Sequence, residues 1–365
     1  MRKLSTCLFI PLACLFFVQC RTAQLRLTPT GHIATEGFIS CFEPGLADGK
    51  TWCEASAVLA QGDRIYLAND KDMPAPRSSV FYINWPKGDS IRNGLDPSSP
   101  VYLDQPVMRM AHKFEEFAQS PNRKWTFLTT AFDRIKPGSA DFDGYNMLLA
   151  WHPGQEGDVR LAGAGRGEAA SLDLRRQVQQ ALGGSPYFKI EGLAATNTHL
   201  WFGVREQGDH YDKFDYRITL LRAKYHSQEG VKSRQGVVVD KPVLIRNFDV
   251  SDVDTTLPKP LAISSIEYDA NRRCFWLLTS FEQGERIGAY LWVISEKALK
   301  NNGTLQLVRT QNGKPLAFTH KAEDMTFIDP NTLFVIHDDD RVRTHIGPII
   351  RQPNQAAYSV VKLTN

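Results

Sequence analysis

Short apolar segments alternate with polar turns along almost the whole chain, and they recur in a fixed order. One series, bounded by Gly, Asn, Pro and Asp, reads RIYLA, KWTFLTT, LWFGV, CFWLL and LFVIH. A second series follows the first after longer loops: SVFYINW, YNMLLAW, YRITLLRAKY, AYLWVIS and AYSVVKL. Aromatic and β-branched residues between turn residues are typical of β-strands. The pattern therefore predicts a chain built mainly from strands.

The segments that precede these strands also repeat. HKFEEF at 112–117 and HKAEDM at 320–325 nearly match, and each leads through an apolar segment and a turn into a second apolar run. Related segments begin at Trp52, Phe188 and Ala262, the last with serine where the others have glutamate. A period of roughly 60–75 residues marks a repeat architecture. The residues aligned in this way are Glu54, Glu115, Glu191, Ser264 and Glu323.

Five repeats of four strands predict an all-β fold, a five-bladed β-propeller formed by residues 21–365 as one domain. Fourth strands are PVYLD, DVRLAG, KPVLIRN and LQLVRT, and the fifth repeat lacks one because the chain ends at Asn365. We expect QLRLTPTG at 24–31 to supply it and close the ring. The alternative is a sixth blade in the irregular N-terminal stretch.

One helix is predicted over 168–182, with apolar residues near helical spacing and two glycines at its end. It falls between the second and third repeats, so we expect a surface insertion. A single helix among many strands excludes an alternating β/α fold. The glycine-rich stretches at 45–51 and 163–168 lack the spacing and context of nucleotide-binding loops and are interpreted as loops.

The first 20 residues have a basic start and an apolar run ending at Cys20, which predicts a secretory signal. The alternatives for Cys20 are lipidation, as in bacterial lipoproteins, and ordinary cleavage nearby. We expect a secreted or periplasmic monomer that contacts the membrane only through such a lipid anchor. A net charge of +3 over 365 residues gives no reason to expect a nucleic-acid partner.

Three cysteines remain after the signal. In an oxidising compartment Cys41 and Cys53 could bridge a short loop, and the alternative is that all three are free. Cys274 lies in an apolar run and is expected to be a small buried residue.

The geometry of a propeller predicts where the repeated charges meet. The first strand of each blade starts at one face of the central channel, and the second strand returns to that face. Residues that enter first strands and leave second strands therefore converge on one mouth. The predicted ligand-binding residues there are Lys113, Lys189, Arg205, Lys321, Glu54, Glu115 and Glu191.

Convergent carboxylates are what a hard cation such as calcium requires. We predict metal ligands at Asp70, Glu323, Asp338 and Asp340, and catalytic roles for Asp338 and Arg341. Interleaved Lys and Arg would hold an anionic small ligand beside the cation. The alternative is structural: a glutamate at the start of an inner strand can pair with a lysine of the next blade. We expect structural or surface roles for His112 and His320.

The glutamate-headed repeats, strongest at 189–206 and at 321–341 with its VIHDDDR, resemble secreted phytase-like and esterase-like β-propellers, especially a bacterial branch of uncharacterised domains. The resemblance implies a propeller with a calcium site and hydrolysis of phosphomonoesters or other esters. The rival hypothesis is a non-catalytic propeller of the cell envelope that binds a glycan or a protein.

Overall fold

The computed structural model describes residues 29–43, 51–74, 76–84, 100–165, 169–227, 235–284, 286–340 and 342–364. The predicted signal with Cys20, and the predicted catalytic Arg341, lie outside these ranges. The described part of the chain contains 24 strands and few helices. The predicted all-β class is confirmed.

Each repeat folds as an antiparallel unit whose first strand is innermost. The first unit comprises β2 (Ala55–Gln61), β3 (Arg64–Asn69), β4 (Val80–Asn84) and β5 (Val101–Tyr102). The second comprises β6 (Phe114–Gln119), β7 (Thr126–Thr130), β8 (Leu148–Trp151) and β9 (Arg160–Gly163). The third comprises β10 (Tyr187–Ala195), β11 (His199–His210), β12 (Lys213–Ser227) and β14 (Val243–Asn247). The predicted strands of all three units are present.

The fourth unit comprises β15 (Ala262–Asp269), β16 (Cys274–Gln283), β17 (Arg286–Ser295), β18 (Gln306–Leu307) and β19 (Ala317–Phe318). The last comprises β20 (Ala322–Asp329), β21 (Thr332–His337), β24 (Gln355–Thr364) and β1 (Thr30–Ser40). Three strands stand outside the repeat. Strand β13 (Gln235–Val239) joins the second and third units by pairing with both β9 and β12, and β22 (His345–Ile346) pairs with β23 (Ile349–Ile350).

The N-terminal strand closes the last unit, as predicted, but at a different place. Strand β1 pairs antiparallel with β24, from Thr30 opposite Thr364 to Ser40 opposite Gln355. The predicted closing segment was 24–31, of which only the end is described and belongs to β1. The segment TGHIATEGFIS contains too many polar residues to be predicted as a strand from the sequence. Its pairing with β24 gives the last unit its fourth strand.

The inner strands close a ring. Along the chain β2, β6, β10, β15 and β20 each contact the next, and β20 returns to contact β2. Hydrophobic clusters fill the seams between neighbouring units, including the seam between the last unit and the first, where Phe334 and Tyr358 join Val58 and Phe81. A closed ring of radially arranged sheets fits a β-propeller.

Every inner strand carries a β-bulge near its start, and the bulges define the equivalent positions of the repeat. The extra residues in the registers are Ser56, Glu115, Glu191, Ser264 and Glu323. The sequence alignment is therefore correct in four units and wrong in the first, where Ser56 and not Glu54 is equivalent to the glutamates. Glu54 is instead equivalent to Lys113, Lys189 and Lys321, two residues before each bulge.

Three α-helices are present among the described residues, α1 (Pro106–Met110), α2 (Ala170–Ala181) and α3 (Glu296–Lys300), together with a 3-10 helix at Asp143–Tyr145. Helix α2 is the predicted insertion, and it buries Leu174 and Val178 against the second and third units. No helix in the described ranges is long and apolar enough to cross a membrane.

The structure shows which cysteines are paired. Cys41 and Cys53 form a disulfide with a Cα–Cα distance of 5.9 Å, within the range that such a bridge needs. Cys274 is free and buried, as expected. The alternative in which all three thiols are free is wrong.

Candidate functional site at the channel mouth

A pair of buried carboxyl groups, Glu116 and Asp324, lies at the centre of the ring, one residue after the bulge in β6 and β20. Both side chains are fully buried. Ser265, at the equivalent place in β15, puts its hydroxyl oxygen 2.6 Å from Glu116 Oε1 and 3.0 Å from Asp324 Oδ1. We call Glu116 and Asp324 the carboxyl pair. Neither was among the predicted site residues.

Backbone N–H groups from all five inner strands donate to the carboxyl pair. Each donor is the residue two positions after a bulge, so the five amides are equivalent. Asp324 accepts from Val58 at 2.7 Å, Met325 at 2.6 Å and Phe117 at 3.4 Å, and Glu116 accepts from Ile266 at 2.8 Å and from Leu193. Two side chains thus satisfy the amides that the bulges expose, and they fasten the inner strands together.

The surroundings of the carboxyl pair favour its protonated form. Burial raises the pKa of Asp324 to about 8, although the N–H groups of Val58 and Met325 favour the ionised form. Burial and the neighbouring Asp324 raise the pKa of Glu116 well above its ordinary value. Two like charges this close resist ionising together, as in other paired carboxylates.

Above the carboxyl pair, towards the face where the inner strands begin, lies a layer of ion pairs that we call the mouth. On one side Lys189 Nζ contacts Glu191 and lies 3.4 Å from Glu115 Oε1. Arg205 contacts Glu191 Oε2 at 3.2 Å and Ser280 Oγ at 2.8 Å. Because these residues come from β6, β10 and β11, the ion pairs connect two neighbouring units.

On the opposite side of the mouth Lys321 is the central cation. Its Nζ lies 2.9 Å from Glu323 Oε1, 3.0 Å from Glu282 Oε1 and 3.8 Å from Asp340 Oδ2. Glu282 also faces Arg205 at 3.5 Å, so it joins the two sides of the mouth. Glu282 lies near the end of β16, in a unit whose inner strand has Ser264 at its bulge, where the second, third and last units have a glutamate. It supplies the carboxylate that this unit lacks on its inner strand.

Three carboxylates meet where the first and last units adjoin. Ligand oxygens of Glu54, Asp338 and Asp340 all lie within 4.8 Å of one another, and we call these residues the acidic cluster. Glu54 and Asp338 are buried and Asp340 is exposed. The backbone N–H of Asp340 donates to Asp338 Oδ1 at 2.8 Å, which fixes the turn after β21.

The predicted metal residues are thus only partly brought together. Asp338 and Asp340 share the acidic cluster with Glu54, which was predicted to bind the ligand. Asp70 instead contacts Lys71, which also reaches Glu54 at 2.7 Å, and Glu323 contacts Lys321. Glu54 joins the acidic cluster because it lies two residues before the bulge, at the position that Lys113, Lys189 and Lys321 occupy in other units.

The predicted Lys–Glu pairs form in two of the three repeats where both residues occur. Lys113 does not contact Glu115, because it has a left-handed backbone with φ 58° and its Nζ reaches Asp133 Oδ2 at 2.7 Å. Arg134 also binds Asp133, which lowers the pKa of that carboxyl to about 2 against the effect of burial. Lys71, Asp133 and Glu282 complete the mouth. The sequence places Asp133 and Glu282 there as residues that leave second strands, but it assigns none of the three a ligand-binding, metal or catalytic role.

The carboxyl groups of the mouth differ in their affinity for protons. Although burial opposes it, Arg205 and Lys189 lower the pKa of Glu191 to about 2. Burial raises the pKa of Glu323 to about 7, against the effect of Lys321. Burial also raises the pKa of Glu115 and of Asp338 well above their ordinary values. The mouth therefore combines a carboxyl group that ionises readily, Glu191, with one that binds its proton more tightly, Glu323.

The two repeated histidines have separate environments. His320 is buried and its Nδ1 lies 2.6 Å from Asp339, the middle residue of the aspartate triplet, which also binds Thr344. His112 is half-buried, contacts Asp72 at 2.7 Å and stacks on Tyr145. Asp339 therefore points away from the acidic cluster and anchors the loop that carries Asp338 and Asp340.

Fold and site together describe an all-β protein of propeller type with a charged channel mouth. No protein-family model and no curated protein matches the chain. One similar solved structure is the α-L-arabinofuranosidase PaAbf62A from Podospora anserina in complex with cellotriose. Its identity is 9% and its TM-score 0.44, and the match covers 92% of this chain and 98% of that one.

Two further structures are similar to a comparable extent. The catalytic domain of a Coprinopsis cinerea GH62 α-L-arabinofuranosidase has 10% identity and a TM-score of 0.43 over 92% of this chain and 96% of that one. A DUF4623 family protein from Bacteroides eggerthii has 9% identity and a TM-score of 0.40, and the match covers 93% of this chain and 77% of that one. At these TM-scores and identities, neither a family nor a ligand follows for this chain.

Proposed function

We propose that the chain is a five-bladed propeller that binds a divalent cation, calcium, at its channel mouth. The observation that carries the proposal is the acidic cluster: oxygens of Glu54, Asp338 and Asp340 lie within 4.8 Å of one another. Five bulged inner strands that share one carboxyl pair support the number of blades.

The chemistry of the cluster fits calcium. Calcium takes six to eight oxygen ligands, and three carboxylates can offer up to six before water is counted. Three carboxylates face two cations within the described ranges, because the ion pairs of the cluster there are those of Lys71 with Glu54 and the 3.8 Å contact of Lys321 with Asp340. A divalent cation would offset the repulsion that helps raise the pKa of Asp338, to which Asp340 and Glu54 contribute after burial.

The proposal extends to an anionic small ligand beside the cation. Lys113, Lys189, Arg205 and Lys321 all face carboxylates already, so an anion has to gain its main attraction from the metal. Lys321, next to the cluster and partnered by three carboxylates, is the cation best placed to contact such a ligand. Hydrolysis of an ester or phosphoester is the reaction that the resemblance in sequence implies, with Asp338 next to the metal.

A second function is favoured by a different observation. Glu323, whose pKa is about 7, and Glu191, whose pKa is about 2, share the mouth through Lys321 and Arg205. Glycosidic bond cleavage needs one carboxylic acid and one carboxylate, which this difference provides. A glycan bound or cleaved at the mouth is therefore the alternative.

We propose in addition that the protein acts outside the cytoplasm. The disulfide between Cys41 and Cys53 supports this location, because such bridges persist in oxidising compartments. Secretion, lipidation of Cys20, the phytase-like kinship and the monomeric state remain predictions from the sequence.

Calorimetry with calcium tests the cation site. Binding to the folded state alone adds about 2.7 kcal/mol at a hundredfold excess over Kd, so the melting temperature should rise with calcium. The variant Asp338→Asn with Asp340→Asn should lose this rise, and the control Asp141→Asn with Asp215→Asn, two exposed aspartates elsewhere, should keep it. Absence of any shift at millimolar calcium would contradict the proposal.

The same proteins test the chemistry. Turnover of p-nitrophenyl phosphate or acetate should require calcium and disappear in Asp338→Asn with Asp340→Asn. Turnover of p-nitrophenyl glycosides that survives in this variant but is lost in Glu323→Gln would favour the glycan alternative. A calcium shift with no turnover of any of these probes would keep the cation site and exclude the hydrolase.

A further inference from the structure

A groove lies on the face opposite the mouth, at the seam between the third and fourth units. We call it the far-face groove. It is lined by the β10–β11 turn, the β15–β16 turn and helix α3, and its volume is about 480 Å³, within the size range of small-molecule sites. Its lining includes Asn197, His199, Trp201, Arg222, Phe275 and Lys300. The acidic cluster and the lysines of the mouth are at the other ends of the inner strands.

The floor of the groove is aromatic and rigid. The rings of Trp201 and Phe275 lie 4.6 Å apart between centroids, and Tyr268 packs 5.0 Å from Phe275. Trp201 and Phe275 belong to the hydrophobic cluster of the seam, so their positions are set by the packing of two units. Phe275 is fully buried and Arg222 lies over the Trp201 ring, so Tyr268 is the ring that presents a partly exposed apolar surface to the groove.

Arg222, Arg273 and Lys300 line the groove, and two of them, Arg222 and Lys300, differ from the cations of the mouth in having no carboxylate partner among the described residues. Within the described ranges neither Arg222 nor Lys300 forms an ion pair, and Arg222 lies over the Trp201 ring at 5.5 Å. The one acidic side chain, Glu296, is bound by Arg273 at 3.0 Å and by the Tyr268 hydroxyl. The groove therefore has an excess of positive charge.

His199 lies on the polar rim of the groove, close to these charges. Its Nδ1 lies 2.8 Å from the Thr198 hydroxyl, which leaves Nε2 for another partner. Burial lowers the pKa of His199, and Arg222 and Lys224 lower it further against the opposing effect of Asp240. The polar rim adds the Asn197 side chain, whose carbonyl oxygen accepts from Asn122 N–H at 2.9 Å while its amide nitrogen can donate.

We infer that the far-face groove is a second binding site, for a carboxylate-bearing sugar such as a uronic acid unit. The sugar ring lies against Tyr268, its carboxylate pairs with Arg222 and Lys300, and its hydroxyl groups bond with Asn197 and His199. Arg222 is suited to this task, because a guanidinium presents donors in the planar arrangement that a carboxylate accepts. The site is independent of the proposed function at the mouth.

Titration calorimetry with an α-1,4-linked galacturonate disaccharide tests the inference. The disaccharide should bind the full chain, and the neutral galactose disaccharide and inorganic sulfate should bind at least tenfold more weakly. Arg222→Gln and Lys300→Gln should each raise Kd about tenfold or more, because each removes a charge-assisted hydrogen bond. Lys297→Gln, on the same helix but outside the groove, should leave Kd unchanged.

Three results would overturn the inference: no binding of the acidic disaccharide at millimolar concentration, equal binding of the neutral disaccharide or of sulfate, or an unchanged Kd in Lys300→Gln. Lys300 is exposed, so its variant tests the site even if Arg222→Gln fails to fold. Asp338→Asn with Asp340→Asn should bind the disaccharide normally, which separates this site from the one at the mouth.

Discussion

Replacing Asp324 by alanine should remove much of the stability of the fold. Asp324 Oδ2 accepts from Val58 N–H at 2.7 Å, and Oδ1 accepts from Met325 N–H at 2.6 Å. A buried donor left without a partner costs about 1–3 kcal/mol, so the loss of these two bonds costs about 2–6 kcal/mol. The weaker contact with Phe117 at 3.4 Å adds less. The total free energy of unfolding of a folded domain is about 5–15 kcal/mol, so this loss is a large fraction of it.

Urea denaturation followed by tryptophan fluorescence measures this loss. If Asp324→Ala does not fold, Asp324→Asn provides a milder change, because it keeps one oxygen acceptor, and about 1–3 kcal/mol should be lost. The control Asp215→Ala removes a carboxylate that is exposed and pairs with Arg217, and it should cost less than about 1 kcal/mol. A loss below about 1 kcal/mol for Asp324→Ala would refute the idea that the carboxyl pair fastens the inner strands.

Three further predictions concern the whole fold. The pKa of Asp324 is raised to about 8 and that of Glu323 to about 7, so the folded state keeps protons that the unfolded chain releases near about pH 4. The free energy of unfolding should therefore fall between about pH 4 and about pH 8. Urea midpoints that rise with pH over this range would contradict the prediction. Deletion of residues 29–40 should lower the melting temperature markedly, since β24 loses its partner, and an unchanged melting curve would show that β1 does not close the ring. Cys41→Ser with Cys53→Ser should cost about 2–4 kcal/mol in urea, and no loss would exclude the bridge.

The strands and their order could be predicted because each depends on a local pattern. Segments such as CFWLL and AYSVVKL lie between turn residues, and they became β16 and β24 as expected. Strand β1 could not be located correctly, since its sequence TGHIATEGFIS has no clear alternation and its strand structure depends on pairing with residues more than 300 positions away.

The mouth could be predicted in outline because the face that each strand enters follows from the fold. The exact partners could not, because they depend on the bulges. In a regular strand Glu115 and Glu116 point to opposite faces, and the bulge turns both toward the axis. The doublets Glu-Glu in HKFEEF and Glu-Asp in HKAEDM were the visible signal of the carboxyl pair. The misplacement of Glu54 by two residues has the same origin, since the first unit has Ser56 at its bulge.

A crystal structure of the protein grown with calcium is the most direct test of the proposed cation site. We expect a peak of density at about 2.3–2.6 Å from carboxylate oxygens of Glu54, Asp338 and Asp340, the usual distance of calcium from its ligands. Replacement of calcium by strontium should give an anomalous peak at the same place. A cation bound at the mouth by Asp70 or Glu323 instead, or clear density for an acidic cluster that holds no cation, would contradict it.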